Sequence, residues 1–287
     1  MTRFLLASTL PLLVLGACVT DDTTSSPEDD QSACEYLNAG DCGGKADGTG
    51  GITSLDWRTP DFWADLYLAK YKTQRDKFNT QIEAGPAPLA QPRTVLLITG
   101  ITIKAAWFDG IATRLRRDGY NVVVYEPPGL LSGSLLQASK DLGAVVERVK
   151  AESGQDKIDI LAECTGGVIS RYYVQSLGGD ANVAKVVTFV SPQHGLFGAK
   201  LLSYVVHWPA LTDLTPGSEF LTAVNAKSPN VPFTSIYTCD DEYIKPYTDS
   251  AVPGATNINI CGHGFVGHFR TMYDPAIYMM MHDALVK

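Results

Sequence analysis

The chain has 287 residues, of which 45% are hydrophobic and 19% charged, and its formal net charge is −8. This length is enough for one large domain or two small ones. The composition excludes a disulfide-dense scaffold, and the lack of long apolar runs beyond the N-terminus excludes a protein with several membrane spans. Residues 19–48 hold eight acidic residues and one lysine. The rest of the chain is therefore close to neutral, and no nucleic-acid partner is expected.

The first 17 residues have the pattern of a secretion signal. A basic residue precedes the apolar run of residues 4–15, and small residues follow it. The sequence Leu15-Gly16-Ala17-Cys18 resembles a bacterial lipobox, in which the cysteine is lipidated and becomes the first residue of the mature protein. We therefore expect a lipoprotein-type signal peptide and a secreted protein that Cys18 anchors to a membrane of the cell envelope. An ordinary signal peptide cut at the same place is the alternative.

Residues 18–51 have the composition of a tether. They are rich in Asp, Thr, Ser, Gly and Pro, and they contain few side chains whose burial could offset the entropy lost on ordering. We expect a disordered acidic linker here, followed by one domain over residues 52–287. Cys34 and Cys42 are predicted to form a local disulfide in an oxidising compartment, with unpaired thiols as the alternative.

The folded part opens with a helical pattern and continues as an alternation of strands and helices. Apolar residues recur at helical spacing from Pro60 to Ile82, after Thr59 as the N-cap. Short runs rich in Val and Ile then alternate with amphipathic stretches, which is typical of a parallel sheet covered on both faces. The predicted strands are 95–99, 121–125, 157–162, 185–190, 232–237 and 257–260, and the helices are 107–117, 134–152, 167–177 and 275–285. The predicted fold class is α/β with a doubly wound, mostly parallel sheet.

A predicted strand, a tight turn and a predicted helix meet at Cys164. The sequence Ala162-Glu163-Cys164-Thr165-Gly166-Gly167 has the layout of a nucleophile elbow, with Cys in place of the usual Ser. Small residues two positions before and two after the nucleophile permit so tight a turn. The helix N-terminus favours a thiolate, and the amide of Thr165 points to where an oxyanion would form. A buried structural cysteine is the alternative.

Five further segments occur in a characteristic order along the chain. They are Thr99-Gly100-Ile101, Ser191-Pro192-Gln193-His194-Gly195, Pro216–Leu221, Thr234–Glu242, and Gly267-His268-Phe269 followed by Tyr273-Asp274-Pro275. With the elbow, they make residues 95–285 resemble the secreted bacterial triacylglycerol lipases and esterases of the α/β-hydrolase fold. The resemblance implies Asp241 as the acid and His268 as the base, with an oxyanion hole from the amides of Ile101 and Thr165.

The order nucleophile, acid, histidine is the one that α/β-hydrolases use. His263 is the alternative base, and His268 is preferred for its spacing to Tyr273-Asp274-Pro275. No pair of His, Cys or carboxylate residues has zinc-ligand spacing, so no metal site is predicted. No cofactor is predicted either, because the sequence contains no phosphate-binding or dinucleotide-binding motif.

The other two cysteines of the predicted domain indicate whether Cys164 is paired. Cys239 and Cys261 both follow predicted core strands at the catalytic end of the sheet, and a disulfide could join them. Cys164 is then unpaired in an oxidising compartment, which favours a reactive thiol. Glu163 beside it would raise the pKa of the thiol unless it faces away or pairs with a cation such as Arg171.

The sequence predicts a carboxylic-ester hydrolase that acts on apolar acyl esters through Cys164, Asp241 and His268 and a thioester acyl-enzyme. The first alternative is an acyltransferase or polyester-synthase-like enzyme on the same triad, because polyhydroxyalkanoate synthases and dienelactone hydrolases also resemble this chain in carrying Cys at the elbow. The second is a non-catalytic surface lipoprotein that binds lipid. The apolar residues 201–208 are predicted to form a packed helix rather than a mobile lid.

Overall fold

Six parallel strands form the centre of the structure, a computed structural model that describes residues 56–262 and 264–287. The strands are β1 (Arg93–Ile98), β2 (Tyr120–Tyr125), β3 (Ile158–Glu163), β4 (Val183–Phe189), β5 (Phe233–Tyr237) and β6 (Thr256–Asn259). Their order in the sheet is β2-β1-β3-β4-β5-β6, and each neighbouring pair is parallel. The predicted parallel α/β sheet is therefore confirmed.

Helices cover both faces of this sheet. Those of the described part are α1 (Pro60–Lys70), α2 (Lys72–Thr80), α3 (Asp109–Arg117), α4 (Leu135–Ser153), α5 (Cys164–Ser176), α6 (Ala199–Val206), α7 (Pro209–Asp213), α8 (Glu219–Asn225) and α9 (Pro275–Val286). Buried residues of α4 and α5 share one hydrophobic cluster with Leu96, while buried residues of α3 and α9 share the other cluster with Leu97. Because neighbouring strand residues point to opposite faces, both faces of β1 are apolar and the strand reads as a continuous hydrophobic run.

The connections between the strands bring the loops with the candidate site residues to one edge of the sheet. From β1 the chain passes to β2 on one side, and β3 then lies against β1 on the other side. The loops that follow β1 and β3 therefore diverge, and such a switch point at the carboxyl ends of parallel strands is where open α/β sheets bind ligands. All six strands are parallel, so the loops after β5 and β6 reach the same edge.

Two predicted helices differ from the structure. The single helix expected from Pro60 to Ile82 is two helices that meet at Tyr71, whose ring packs against Trp107 and Phe269. The expected packed helix is α6, but it buries little of its apolar surface: Leu201 is 73% exposed and Tyr204 65% exposed. The helix is present and its end at Val206 is buried in the core, so the prediction of a packed helix is confirmed only in part. Apolar content alone does not reveal whether another element covers a helix.

The predictions for the N-terminal region concern residues outside the described part of the chain. They are the signal peptide over residues 1–17, lipidation of Cys18, the tether over residues 18–51 and the pair Cys34 and Cys42. Among the helices that the structure does describe, none combines the length and the hydropathy needed to cross a bilayer.

The position of Leu97 in the centre of the sheet gives a test of the core. Leu97 is fully buried, so Leu97→Ala should lower the free energy of unfolding by about 2 to 5 kcal/mol, measured by urea denaturation. Leu201→Ala removes the same atoms from a side chain that is 73% exposed, and it should change stability by no more than about 0.5 kcal/mol. Equal losses for the two variants would contradict the assignment of β1 to the core.

Candidate active site

The turn between β3 and α5 holds Cys164 in a conformation that few residues adopt. Cys164 is the first residue of α5, and its φ is +47°, in the left-handed region that is strained for residues other than glycine. A Cβ on Gly166 would lie 2.7 Å from the carbonyl oxygen of Thr99, and one on Gly167 would lie 2.5 Å from Ser191 Oγ. The turn is thus as tight as the elbow pattern requires, and residues with side chains are excluded on its helical side.

The loop after β1 lies directly against this turn. A Cβ on Gly100 would come within 2.7 Å of Cys164 Cβ and 2.3 Å of Glu163 Oε2. The next residue in the loop is Ile101, and Thr165 is in the first turn of α5, where amides have no partner within the helix. Within residues 56–262 and 264–287, neither of these two amides has a hydrogen-bond acceptor. Both are therefore available to donate to an oxyanion.

The loops after β5 and β6 bring Asp241 and His268 together. His268 Nδ1 lies 2.7 Å from Asp241 Oδ2, and both side chains are buried. The other carboxylate oxygen of Asp241 accepts hydrogen bonds from the amides of Tyr243, at 2.8 Å, and Ile244, at 2.9 Å. The backbone amide of His268 donates to Glu242 Oε2 at 2.7 Å. The imidazole is thus fixed in orientation, with Nδ1 engaged and Nε2 facing the elbow.

Cys164 completes this group. Its side chain is 6% exposed, and its sulfur makes a 3.7 Å contact with Thr165 Oγ1. The sulfur of Cys164, a ring nitrogen of His268 and a carboxylate oxygen of Glu163 all lie within 4.8 Å of one another. The structure therefore brings together the three residues that the sequence predicts as a triad. The alternative base, His263, lies outside the described residues.

Glu163 contacts the imidazole as well, which the sequence does not predict. The fully buried Glu163 places Oε1 3.2 Å from His268 Nε2, while its Oε2 accepts a hydrogen bond from the Gly100 amide at 2.9 Å. The sequence left the direction of Glu163 open: it would raise the pKa of the thiol unless it faced away or paired with a cation such as Arg171. In the structure it lies beside the thiol and the imidazole and raises the thiol pKa. Arg171 donates instead to Asn225, Gln175 and the carbonyl of Lys227. The side-chain direction at position 163 depends on where the loops after β1 and β6 lie, and local sequence does not carry that information.

Burial sets the proton affinity of the thiol. It raises the pKa of Cys164, and the negative charge of Glu163 raises it further, while His268 acts in the opposite direction. A neutral thiol at neutral pH is the consequence, which differs from the thiolate that the helix N-terminus led us to expect. The helix dipole acts on a sulfur that is removed from water, where the charged form is disfavoured.

The carboxylates of Asp241 and Glu163 and the imidazole of His268 change one another's pKa values. Burial disfavours the imidazolium, but the negative charge of Asp241 and its hydrogen bond with Nδ1 outweigh burial and raise the pKa of His268 well above its ordinary value. Burial also acts against ionisation of Asp241, yet His268 and two backbone amides lower the pKa of this carboxyl overall. For Glu163, burial dominates and the pKa is raised. Asp241 is therefore the permanent negative charge, and His268 is a stronger base than a free histidine.

A disulfide ties the loops of the acid and the base to each other. Cys239 and Cys261 are bonded, with their Cα atoms 5.4 Å apart, and they follow β5 and β6 respectively. Asp241 is two residues after the first, and His268 seven residues after the second. Among the described residues, Cys164 is the free cysteine. The pairing left open by the sequence is thus present, and it connects the two segments that carry the imidazole and its partner.

Aromatic rings surround the imidazole on the remaining sides. Tyr243 packs edge-on against His268 with ring centroids 5.2 Å apart, and Phe269 does so at 5.3 Å. Tyr67 of α1 contacts both of these rings. These contacts limit rotation of the imidazole and keep water from it. No sequence motif points to Tyr67, because α1 reaches the site only through the tertiary fold.

Comparison with known proteins places the chain among hydrolases of this fold. The model of the palmitoyl protein thioesterase family matches residues 95–244, which is 150 of the 287 residues. The matched region includes Cys164 and Asp241 and ends before His268. It therefore covers the elbow and the acid of the candidate site, together with the sheet up to β5.

Solved structures of lipases have the same fold. Lipase B of Aspergillus fumigatus matches with a TM-score of 0.59 and 17% identity over 70% of this chain, which spans 56% of the length of that lipase. The mature lipase BlEst2 of Bacillus licheniformis matches with a TM-score of 0.55 and 14% identity, over 70% of this chain and 96% of the lipase. The product of lin2722 from Listeria innocua matches with a TM-score of 0.53 and 16% identity, over 69% of this chain and 95% of that protein. The sheet and helices described above are thus those of the α/β-hydrolase fold.

The raised pKa of Cys164 can be measured by alkylation. The thiolate is the form that reacts with iodoacetamide, so the rate at Cys164 should rise with pH and reach half its maximum above the ordinary thiol pKa of about 8.5. Glu163→Gln removes a negative charge and should move the midpoint to lower pH. Mass spectrometry of the Cys164 peptide separates this thiol from others in the chain. A midpoint below that of a free thiol, unaffected by Glu163→Gln, would contradict the electrostatics described here.

Proposed function

Because the chain belongs to the palmitoyl protein thioesterase family, we propose that it hydrolyses thioesters and esters of apolar acyl chains with Cys164 as the nucleophile. One observation carries the proposal: the elbow residue is a free cysteine beside an imidazole whose other nitrogen lies 2.7 Å from the carboxylate of Asp241. A cysteine with a purely structural role requires neither the strained turn nor the oriented imidazole.

The first half of the reaction forms the acyl-enzyme. As Cys164 Sγ attacks the carbonyl carbon of the substrate, Nε2 of His268 takes the thiol proton, and Asp241 stabilises the imidazolium. The carbonyl oxygen becomes an oxyanion that accepts hydrogen bonds from the amides of Ile101 and Thr165. The bond to the leaving group then breaks, and Nε2 returns the proton to the departing thiolate or alkoxide. The acyl group is left on Cys164 as a thioester.

The second half releases the acid. Water attacks the thioester carbonyl while Nε2 of His268 takes one of its protons, and the same two amides stabilise the second oxyanion. When the C–S bond breaks, Nε2 returns that proton to Sγ and the neutral thiol is restored. The raised pKa of Cys164 opposes loss of the thiol proton, and the raised pKa of His268 acts in the other direction by making the neutral imidazole a stronger acceptor.

A thioester is the substrate class that best fits a thiol nucleophile. Attack on a thioester exchanges one C–S bond for another, so the acyl-enzyme is close in energy to the substrate, whereas an oxygen ester must be converted to a more reactive acyl compound. Exposed apolar side chains near the carboxyl edge support an apolar acyl chain, since Phe197 is 82% and Leu201 73% exposed just after β4. The palmitoyl protein thioesterase family is named for the same chemistry.

Acyl transfer on the same site is the second candidate, and the thioester intermediate favours it. A thioester passes its acyl group to amines, thiols or alcohols more readily than an oxygen ester does. The products separate the two functions. With a p-nitrophenyl acyl ester in water, a hydrolase gives the free acid at the same rate whether or not an alcohol or amine acceptor is added, whereas a transferase gives mainly the acylated acceptor.

Removal of the nucleophile tests the proposal directly. Cys164→Ala should lower kcat/KM for a p-nitrophenyl acyl ester and for an acyl thioester by about 10³-fold or more, because a covalent nucleophile cannot be replaced by the rest of the site. Wild-type protein alkylated at Cys164 with iodoacetamide should be equally inactive. Circular dichroism and thermal unfolding of the Ala variant check that the fold is retained.

The outcomes of this experiment exclude one another. Full activity in Cys164→Ala would end the proposed role of the thiol. Absence of turnover in the wild-type protein, combined with binding of acyl chains, would favour the lipid-binding lipoprotein over both enzymes.

We also propose that the enzyme is a lipoprotein held at the cell envelope through Cys18, with apolar acyl compounds of that environment as its substrates. The lipobox-like sequence before Cys18 supports this, and so does the disulfide between Cys239 and Cys261, which is typical of an oxidising compartment. In a bacterial host, the wild-type protein should enter the detergent phase after Triton X-114 separation. Cys18→Ala should move it to the aqueous phase, whereas Cys34→Ala should not. Aqueous partition of the wild-type protein would contradict the anchor.

A further inference from the structure

Three side chains at the elbow form a group with the donor atoms of a zinc site. Glu163, Cys164 and His268 offer a carboxylate oxygen, a sulfur and a ring nitrogen that lie within 4.8 Å of one another, and all three residues are buried. Sulfur, imidazole nitrogen and carboxylate oxygen are the ligands that Zn²⁺ prefers in proteins. The first two residues are adjacent in sequence and the third is distant, so no ligand spacing reveals the group. The sequence-based expectation of no metal site rests on ligand spacing, which does not bear on a group of this kind.

The distances fit a tetrahedral ion. Zinc-to-ligand bonds of about 2.0 to 2.3 Å place neighbouring ligand atoms about 3.3 to 3.8 Å apart. His268 Nε2 and Glu163 Oε1 are already 3.2 Å apart. The sulfur of Cys164 lies within 4.8 Å of both atoms, which is about 1 Å more than the tetrahedral separation, so a shift of about this size completes the group. A tetrahedral ion with three protein ligands has a fourth position for water.

The atoms behind these ligands are those of a built metal site. Asp241 Oδ2 lies 2.7 Å from His268 Nδ1, which is the carboxylate–histidine arrangement that directs Nε2 to a metal. Glu163 Oε2 is held by the Gly100 amide at 2.9 Å, so Oε1 is the free oxygen of that carboxylate. Two of the three ligands are therefore oriented before any ion arrives, which lowers the entropic cost of binding.

We infer that Glu163, Cys164 and His268 bind Zn²⁺ reversibly and that the ion inhibits the enzyme. On binding, Zn²⁺ replaces the proton of the thiol and the proton that Nε2 shares with Oε1, and both protons pass to solvent; the neutral imidazole and the carboxylate then coordinate through Nε2 and Oε1. No electron is transferred, and a chelator reverses the step. The bound sulfur cannot attack a carbonyl and the bound Nε2 cannot accept a proton. Inhibition rests on the proposed function, whereas binding of the metal does not.

Binding is measured on the full chain with its disulfide intact, without reference to turnover. Co²⁺ replaces Zn²⁺ as a spectroscopic probe, because a cobalt–thiolate bond gives a charge-transfer absorption that oxygen and nitrogen ligands do not. We expect this absorption in the wild-type protein, and we expect Zn²⁺ to remove it. Cys164→Ala should lack the part of the absorption that arises at the elbow. An absorption unchanged in Cys164→Ala would overturn the inference, and so would its absence from the wild-type protein.

Protection of Cys164 from iodoacetamide tests whether Glu163 is a ligand of the ion. Zn²⁺ should slow alkylation of the Cys164 peptide, and EDTA should restore it. Loss of a direct ligand should cost at least as much as loss of an outer-shell partner, so Glu163→Gln should raise the Zn²⁺ concentration for half-protection about tenfold or more. Glu152→Gln makes the same change on the exposed surface of α4 and should leave this concentration unchanged.

The controls keep these outcomes distinct. Equal Zn²⁺ requirements in Glu163→Gln and Glu152→Gln would overturn the three-ligand site. If Glu163→Gln does not fold, His268→Ala takes its place, with the same expected rise and the same contradicting result. If Zn²⁺ binds as expected but the wild-type protein has no acyl hydrolase activity, the metal site stands and the proposed function fails.

Discussion

The strained turn at Cys164 is the constraint on which the rest of the site depends. A residue other than glycine with φ of +47° persists only where its surroundings hold it, and here the surroundings are backbone atoms packed at contact distance. The elbow excludes a Cβ at Gly166 on one side and at Gly100 on the other. The same close packing that enforces the turn places the loop after β1 next to the Cys164 side chain. The contact between the elbow and the loop after β1 therefore determines both the backbone conformation of Cys164 and the position of its sulfur.

The imidazole of His268 lies between two carboxylates, and they act differently. Asp241 engages Nδ1, accepts two backbone amides, and has a lowered pKa, so it is a fixed counter-charge. Glu163 faces Nε2 from a fully buried position with a raised pKa. In the proposed mechanism Nε2 takes the thiol proton, so Glu163 would influence the proton-transfer step itself, whereas Asp241 orients the ring. The disulfide between the β5 and β6 loops preserves this arrangement by fixing the distance between the segments that carry acid and base.

The sequence predicts the sheet and the elbow from local patterns, and Asp241 and His268 from the resemblance to lipases. Runs rich in Val, Ile or Leu mark five of the six strands, and the elbow sequence marks the turn at Cys164. What it misses depends on tertiary packing. The side chain of Glu163 faces His268 only because two loops converge there, and Tyr67 reaches the site on a helix far earlier in the chain. The exposure of α6 is missed for a related reason, since an apolar helix is the same in sequence whether or not it is covered.

The two departures from the usual elbow, Cys at position 164 and Glu at position 163, are chemically compatible with each other. A buried carboxylate next to a nucleophile opposes its ionisation. A serine hydroxyl starts from a pKa far above that of a thiol, and a nearby negative charge would raise it further. A thiol, with an ordinary pKa of about 8.5, can bear an upward shift and still transfer its proton to an imidazole made more basic by Asp241. The proposed Cys nucleophile thus tolerates the carboxylate that holds the Gly100 amide, and the same soft sulfur underlies the proposed binding of Zn²⁺.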